Sequence, residues 1–297
     1  MIYVVGTLAL DTIIYCPRMP LKNTAVQVSS MHRVFGGTAG NVAAVLSALG
    51  ERASVISLAG EDFPGSDYDR HLKSLGVETA HVSIRKGAHT SRAYAPVVES
   101  TGELVFYFEP MPGFSDLPLP RLGLSSGDFI HIATGNPAFN RRLAASTPGA
   151  RISFDPGYDA PRYSKDDLES IFRRTLILSM NETELDSVLK TTGNGSWKSL
   201  FSYGIRVIVI THGERGSEAH TEGASFKIGS YTKSAMRDPI GAGDAYRAGF
   251  LAAYAKGMPV EECAKTGSAA ASLIKEHVGG HASGMTLEKV LERAKEF

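Results

Sequence analysis

The stretch "DPIGAGDAYRAGF", Asp238 to Phe250, decides the reading of this chain. Gly241, Ala242 and Gly243 stand directly before a carboxylate, Asp244, and the residues after it read as a helix. Beyond Asp244 the small residues Ala245, Ala248, Gly249, Ala252 and Ala253 fall on one helical face, which lets the helix pack very close to a neighbour. Cys263, Gly267, Ala270, Ala271 and Ile274 repeat the pattern in the next helical segment. Two such helices make a rigid base for whatever sits at the first one's N-terminus. A helix start offers unpaired N–H groups and partial positive charge, and so attracts an anion. Three residues without bulky side chains leave the approach open. A carboxylate beside such a nest repels the anion unless it has a task. Accepting a proton from an attacking hydroxyl is such a task. The plainer alternative is that Asp244 only complements the helix dipole in a first turn.

The whole composition narrows the choices. The chain has 297 residues, 43% hydrophobic and 21% charged, which suits an ordinary globular protein with a substantial core. Lys and Arg total 31, as do Asp and Glu, so the basic excess needed to coat nucleic acid or an anionic membrane is missing. Cys16 and Cys263 lie far apart and give neither a disulfide framework nor a metal spacing. The opening "MIYVVG" enters a strand-like run without the parts of a secretion signal, and no apolar run approaches the ~20 residues needed to span a bilayer. We therefore expect a cytoplasmic protein with no nucleic-acid or membrane partner. The "NGS" at Asn194 reads as a loop.

Short, solidly apolar runs recur at 2–6, 54–60, 129–133, 176–180 and 205–210. Unbroken runs of this length suit strands covered on both faces. Between them, 39–50, 66–76, 164–175 and 181–190 read as helices, with Ser164 and Asp167 forming a capping box. The alternation predicts a central, mostly parallel sheet in an α/β fold. Two regions break it. Residues 10–35 and about 89–110 look like antiparallel strand pairs, with "ESTGE" at 99–103 as a hairpin turn. They predict a small sheet projecting from a single domain spanning 1–297, placed to act as a lid.

Other polar groups gather after strand ends, where open α/β sheets bind ligands. Asp11 follows the first run; Gly36 and Gly37 precede Asn41 at a helix start; Asn181 and Glu184 lie one helical turn apart after the fourth run; Thr211, Gly213 and Gly216 follow the fifth. Each alone reads as a turn, a cap or a solvated acid. Together after strand ends they read as a site. The chain has no G-x-x-x-x-G-K-[ST], which argues against a P-loop, and no lysine adjoins the glycine cluster, leaving the backbone as main phosphate ligand.

On these residues the sequence resembles the ribokinase (PfkB carbohydrate kinase) family over nearly its whole length. "GGTAGN" (36–41) is similar to the family's N-terminal signature, "DPIGAGDAYRAGF" to its C-terminal one, and "NETE" (181–184) to its N-x-x-E motif. Pro239 departs from the threonine common there, and lacks an N–H. Within the family, "HIATGNPAFN" (131–140) and "SFDPGYDAPRYSK" (153–165) look like broad-specificity archaeal-type nucleoside kinases. The resemblance implies a ribokinase-like three-layer α/β/α sandwich with a β-sheet lid, and a kinase using ATP and Mg²⁺. It implies Asp244 as the base, with Gly241, Ala242 and Gly243 as the anion hole. Asn181 and Glu184 would organise Mg²⁺ through water, and Asn181, Thr211, Gly213 and Gly216 would serve the nucleotide. Asp11, Gly36, Gly37 and Asn41 would hold the acceptor. Some members also bind a monovalent cation near the loop at Asp238 and Ile240, and many form a homodimer through the lid.

The acceptor is chosen by chemistry. Tyr94, Phe106, Tyr107 and Phe108 in the lid region suit a flat base, which favours 5′-hydroxyl transfer to a nucleoside, although alternate residues of such a strand can simply pack the sheet. A sugar-phosphate kinase would want Arg or Lys aimed at the existing phosphate, and Arg18, Lys22, Arg33, Arg85, Lys86 and Arg92 lie near the lid segments. A sugar kinase of the same family and a catalytically idle nucleoside sensor are the other readings. The sensor has no need to keep Asp244, Asn181 and Glu184 together. His277 and His281 have H-x-x-x-H spacing, but Gly279 and Gly280 between them break a helix and no acidic third ligand is evident, so we do not expect zinc. His212 reads as a surface or packing residue.

Overall fold

The computed structural model describes residues 1–233, 238–281 and 284–297. Its strands are β1 (Ile2–Val5), β2 (Ala9–Cys16), β3 (Ser30–Gly36), β4 (Ala53–Gly60), β5 (Glu78–Arg85), β6 (Ser91–Val98), β7 (Tyr107–Glu109), β8 (Phe129–Ile132), β9 (Arg151–Phe154), β10 (Thr175–Asn181), β11 (Val207–Thr211), β12 (Ser217–His220) and β13 (Ser225–Ile228). The helices are α1 (Thr38–Ala48), α2 (Asp67–Ser74), α3 (Pro137–Ser146), α4 (Lys165–Phe172), α5 (Glu182–Thr192), α6 (Ala242–Ala255), α7 (Val260–Ile274) and α8 (Leu287–Ala294).

Nine strands form the main sheet in the order β13-β12-β11-β10-β9-β8-β1-β4-β5. Strands β11 to β5 in that order are parallel, and β12 and β13 continue the sheet antiparallel. Side chains alternate between two cores. Ile2, Val4, Val55 and Phe129 join α1, α2, α6, α7 and α8 on one face. Tyr3, Val5, Ile56, Ile130 and Ile132 join α3, α4 and α5 on the other. The architecture is the expected three-layer sandwich. Each fully buried Val, Ile or Leu contributes roughly 1.5–3 kcal/mol, which secures even the four-residue β1 at the sheet centre.

All five apolar runs are strands, and the capping box at Ser164 and Asp167 opens α4. Strands β5, β9, β12 and β13 were not legible as apolar runs. β5 and β13 are sheet edges with partly wetted residues, and β9 and β12 span four residues each. Helices α6 and α7 pack through their small faces as expected: a Cβ added at Gly249 would lie 2.9 Å from the Ala270 Cβ.

The small sheet has the order β3-β2-β6-β7. Two antiparallel pairs, β2–β3 and β6–β7, join through β2 and β6, which run parallel. The turn at 99–103 is present, with Gly102 at φ 68°. Ile13, Ala95 and Val97 form its core together with Ile240, which stands directly before the glycine nest. The small sheet is thereby packed onto the loop that opens α6. No described helix is long and apolar enough to cross a membrane.

Candidate active site

The sheet's connections diverge at its middle. From β1 the chain leads through the small sheet and α1 to β4; from β8 it leads through α3 to β9 on the other side. A crevice opens at such a switch point, beyond the strands' C-terminal ends. Thr7 follows β1 and Thr134 follows β8, and Thr38 Oγ1 lies 2.6 Å from Thr134 Oγ1 across the gap. Asp155, Asn181 and Thr211 stand at the same ends of β9, β10 and β11.

The helix start expected at the glycines is present, but of the three backbone amides read as an anion hole that of Ala242 is already taken. Gly241 is the residue before α6, with φ 78°, and a Cβ there would meet Gly280 Cα at 2.5 Å. No partner among the described residues takes the N–H groups of Gly241 and Gly243, whereas Ala242 N donates to the Pro239 carbonyl at 3.2 Å. Two free amides at a helix start, with the dipole behind them, can attract an anion. Asp244 is buried beside them, and Asn41 Nδ2 donates to its Oδ2 at 2.8 Å.

Arg247, unread in the sequence, is the hub. Its Nε lies 2.5 Å from Asp155 Oδ2, its Nη2 3.5 Å from Glu184 Oε2 and its Nη1 3.6 Å from Asp244 Oδ1. Burial pushes Asp155 and Asp244 above the ordinary carboxylate range, while Arg247 works against it on both. The Asn41 hydrogen bond likewise favours the charged form of Asp244. Burial raises Asp11 as well, to about 7, helped by the charges of Asp244 and Asp238. Arg247 and Asp155 carried weak sequence signals. One is a lone arginine, three positions after Asp244, in a run of small residues; the other ends a four-residue strand.

A cavity of about 460 Å³ lies over this cluster. Asp11, Gly37, Asn41, Asp155, Glu184, Gly241, Gly243, Asp244 and Arg247 line its polar end, and Leu104, Phe106, Phe108 and Ile240 its apolar wall. The Tyr158 hydroxyl is tied to Thr134 and Thr7 in its floor. Asp11 is 5% exposed, and its Oδ1 has no partner, so it stands ready to accept from a hydroxyl. Gly36 backs that carboxylate, since any Cβ there would lie 2.0 Å from Asp11 Oδ2. Of the four aromatic residues read as a cover, Phe106 and Phe108 line the cavity. Tyr94 and Tyr107 pair with each other across β6 and β7 and line neither cavity; like them, Phe106 is exposed. Alternation along a strand sends neighbours to opposite faces.

A second, narrower cavity of about 120 Å³ is lined by Thr211, Gly213, Gly216, Tyr231, Ala242 and Gly243, among others. Gly243 lines both cavities. A donor in one and an acceptor in the other would therefore meet at the nest.

Asn181 caps α5 and lines neither cavity. It forms a capping box with Glu184: Asn181 N donates to Glu184 Oε2 at 2.8 Å and Asn181 Nδ2 to Oε1 at 2.9 Å. With Arg247 on Oε2 as well, three of the roughly four acceptor positions of this carboxylate are taken. The one acceptor position left, on Oε1, would suit a contact to a cation through water. Asp238 accepts from Ile240 N and Gly279 N, both at 2.9 Å. His212 pairs with Glu182 at 3.0 Å, and His281 faces His71 at 3.1 Å. Among the described residues no group of three or more His, Cys, Asp or Glu is arranged to hold a metal ion.

Comparison with known proteins adds to this geometry. Residues 1–286 match the pfkB family of carbohydrate kinases. Over 293 residues the chain is 33% identical to the nucleoside kinase of Methanocaldococcus jannaschii, covering 97% of this chain and 95% of that one. Over 283 residues it is 36% identical to the nucleoside kinase of Methanothermobacter thermautotrophicus, covering 93% and 89%. The crystal structure of the M. jannaschii nucleoside kinase, an archaeal member of the ribokinase family, matches with a TM-score of 0.90 and 32% identity, covering 100% of this chain and 98% of that one.

Proposed function

The chain belongs to the pfkB family of carbohydrate kinases, phosphotransferases that act on an alcohol group, and we propose that it moves the γ-phosphoryl group of ATP onto the 5′-hydroxyl of a nucleoside. One observation carries the choice of acceptor. Among the described residues, four carboxylates, Asp11, Asp155, Glu184 and Asp244, line the larger cavity against a single cation, Arg247, which three of them already share. Such a lining repels an acceptor that already bears a phosphate. The basic residues that kept a sugar-phosphate reading open, Arg18, Lys22, Arg33, Arg85, Lys86 and Arg92, are not among the lining residues. The wall of Leu104, Phe106 and Phe108 offers a base an apolar surface.

In this reading Asp11 and Asn41 hold the ribose hydroxyls beside Gly37, and Asp244 takes the proton of the attacking hydroxyl. The acceptor oxygen bonds to the γ-phosphorus as the bond to the β–γ bridging oxygen breaks, and ADP leaves. The free amides of Gly241 and Gly243 meet the equatorial oxygens in transit, supplying preorganised charge stabilisation. Thr211, Gly213 and Gly216 hold the nucleotide in the narrower cavity. Glu184 would hold Mg²⁺ through water, and the ion would supply countercharge to the phosphate oxygens. The small sheet acts as a lid that excludes water, which would otherwise accept the phosphoryl group. Its outer face exposes Leu10, Met31, Tyr94 and Tyr107, which supports homodimer pairing there; a monomeric mass in solution would reject that pairing.

A coupled ADP-release assay across nucleosides, free sugars and sugar phosphates tests the reading. Turnover on nucleosides, absent without Mg²⁺ or acceptor, is expected. Turnover on a sugar phosphate instead would overturn the acceptor, and ligand binding with no turnover at all would favour a sensor.

A further inference from the structure

We propose that Arg247 is the positioning residue that keeps the base Asp244 ionised and fixed beside the nest, by serving as the shared counterion of three carboxylates from three different elements. The inference rests on the kinase reading above and assigns a residue to which that reading gives no role.

Arg247 lies one helical turn after Asp244 on α6, and long helical side chains lean back toward the N-terminus. Its guanidinium therefore folds over the first turn. Nη1 would be 2.8 Å from a Cβ placed on Gly243, so it lies against the nest. Each nitrogen faces a different acid: Nε meets Asp155 from the end of β9, Nη2 meets Glu184 from α5, and Nη1 meets Asp244 itself. The side chain is 11% exposed. Asp155 is in turn fixed by Gly157 N, which donates to its Oδ1 at 2.9 Å. A planar fork facing three acids at once is a task that lysine, a point charge, cannot repeat. Each of its three nitrogens faces a carboxylate, and through Nη1 the guanidinium acts on the reaction by way of Asp244.

The surroundings of Asp244 make this counterion necessary. Asn41 on α1 is neutral, Tyr68 on α2 is a buried phenol, and Asp11 on β2, Asp155 after β9 and Glu184 on α5 are acids. Among the described residues, Arg247 is the one cation that acts on Asp244. Without it, like charges would be relieved by taking up protons, and a protonated Asp244 cannot accept the hydroxyl's proton.

Arg247→Met alone would leave Asp155 buried without its cation and endanger folding. The informative variants are Arg247→Lys and the double variant Asp155→Asn/Arg247→Met, which removes the pair together. Each is assayed for ADP release with adenosine, inosine and cytidine as acceptors, across pH, beside Asp244→Asn. The double variant should melt near the parent, and its kcat at neutral pH should fall about a hundredfold. Its acid limb in kcat/KM should move up by about one pH unit, with activity partly recovered at high pH. The nucleoside KM should change by less than about threefold. Arg247→Lys should restore part of kcat and part of the shift. A loss uniform across pH, or a change confined to KM, would overturn the proposal, as would kcat retained within about twofold. If Asp244→Asn itself keeps turnover, the assignment of the base fails instead; if only the Arg247 variants behave like the parent, this inference alone fails.

Discussion

Asn41 donates from Nδ2 to Asp244 Oδ2 at 2.8 Å, joining the start of α1 to the start of α6 across 203 positions of sequence. The two motifs that the chain keeps far apart are one hydrogen bond apart in space. Hydrogen bonds to charged groups contribute about 1.5–3 kcal/mol, so Asn41→Ala should lower kcat/KM by roughly ten- to a hundredfold. The bond favours the ionised acid, so its loss should also move the acid limb upward. A pH profile of kcat/KM checks both; an unshifted limb would mean that the bond does not tune the base.

Asp11 should be a stability liability kept for binding. Its carboxyl is raised to about 7 in the fold, above its value in an unfolded chain. Between about pH 4 and 7 the native state then binds more protons than the unfolded one, so stability falls as pH rises through that window. Asp11→Asn should flatten that slope, to which Asp155 and Asp244 also contribute, and raise stability above pH 7 by on the order of 2 kcal/mol. It should also raise the acceptor KM. Denaturant melts at pH 5 and 8 measure the first effect and steady-state kinetics the second.

The two faces of the small sheet should separate cleanly in kinetics. Phe106→Ala and Phe108→Ala remove the apolar wall of the cavity, and base–aromatic contacts contribute about 1–3 kcal/mol. Either change should raise the nucleoside KM by about tenfold with kcat little altered. Tyr94→Ala and Tyr107→Ala lie on the face away from the cavity and should leave KM unchanged. Equal effects from both pairs would contradict the placement of the base.

Gly249→Val tests the packing beneath the nest. Its first added carbon would already lie 2.9 Å from the Ala270 Cβ and 2.9 Å from the Thr266 carbonyl oxygen. Overpacking of this kind destabilises by about 1–3 kcal/mol, and a thermal melt should show it as a lowered Tm. A melt unchanged from the parent would mean that α6 and α7 are less tightly seated than the small-residue faces imply.

Much of this was readable in the sequence because the informative residues are local. Five apolar runs became strands because burial on both faces allows no polar alternation. The glycine nest and the capping box between Asn181 and Glu184 are fixed by neighbours within a few positions, so spacing alone reveals them. Arg247 and Asp155 were not legible, because their meaning lies in a contact between β9 and α6 that no local pattern records. The aromatic wall was half legible: four aromatic residues were visible, but which pair faces inward depends on strand register. The capping box also spends most of Glu184's acceptor capacity on its own helix, which the sequence motif does not disclose.

The central claim is that amides at the head of α6 receive the phosphoryl group while Asp244 takes the acceptor's proton. Asp244→Asn keeps the shape of the site and removes the base, so parallel measurement of turnover and ATP binding isolates that step. The account predicts that kcat falls by about a thousandfold while ATP binds as in the parent. Turnover within about tenfold of the parent, or a loss of ATP affinity that alone explains the defect, would contradict it.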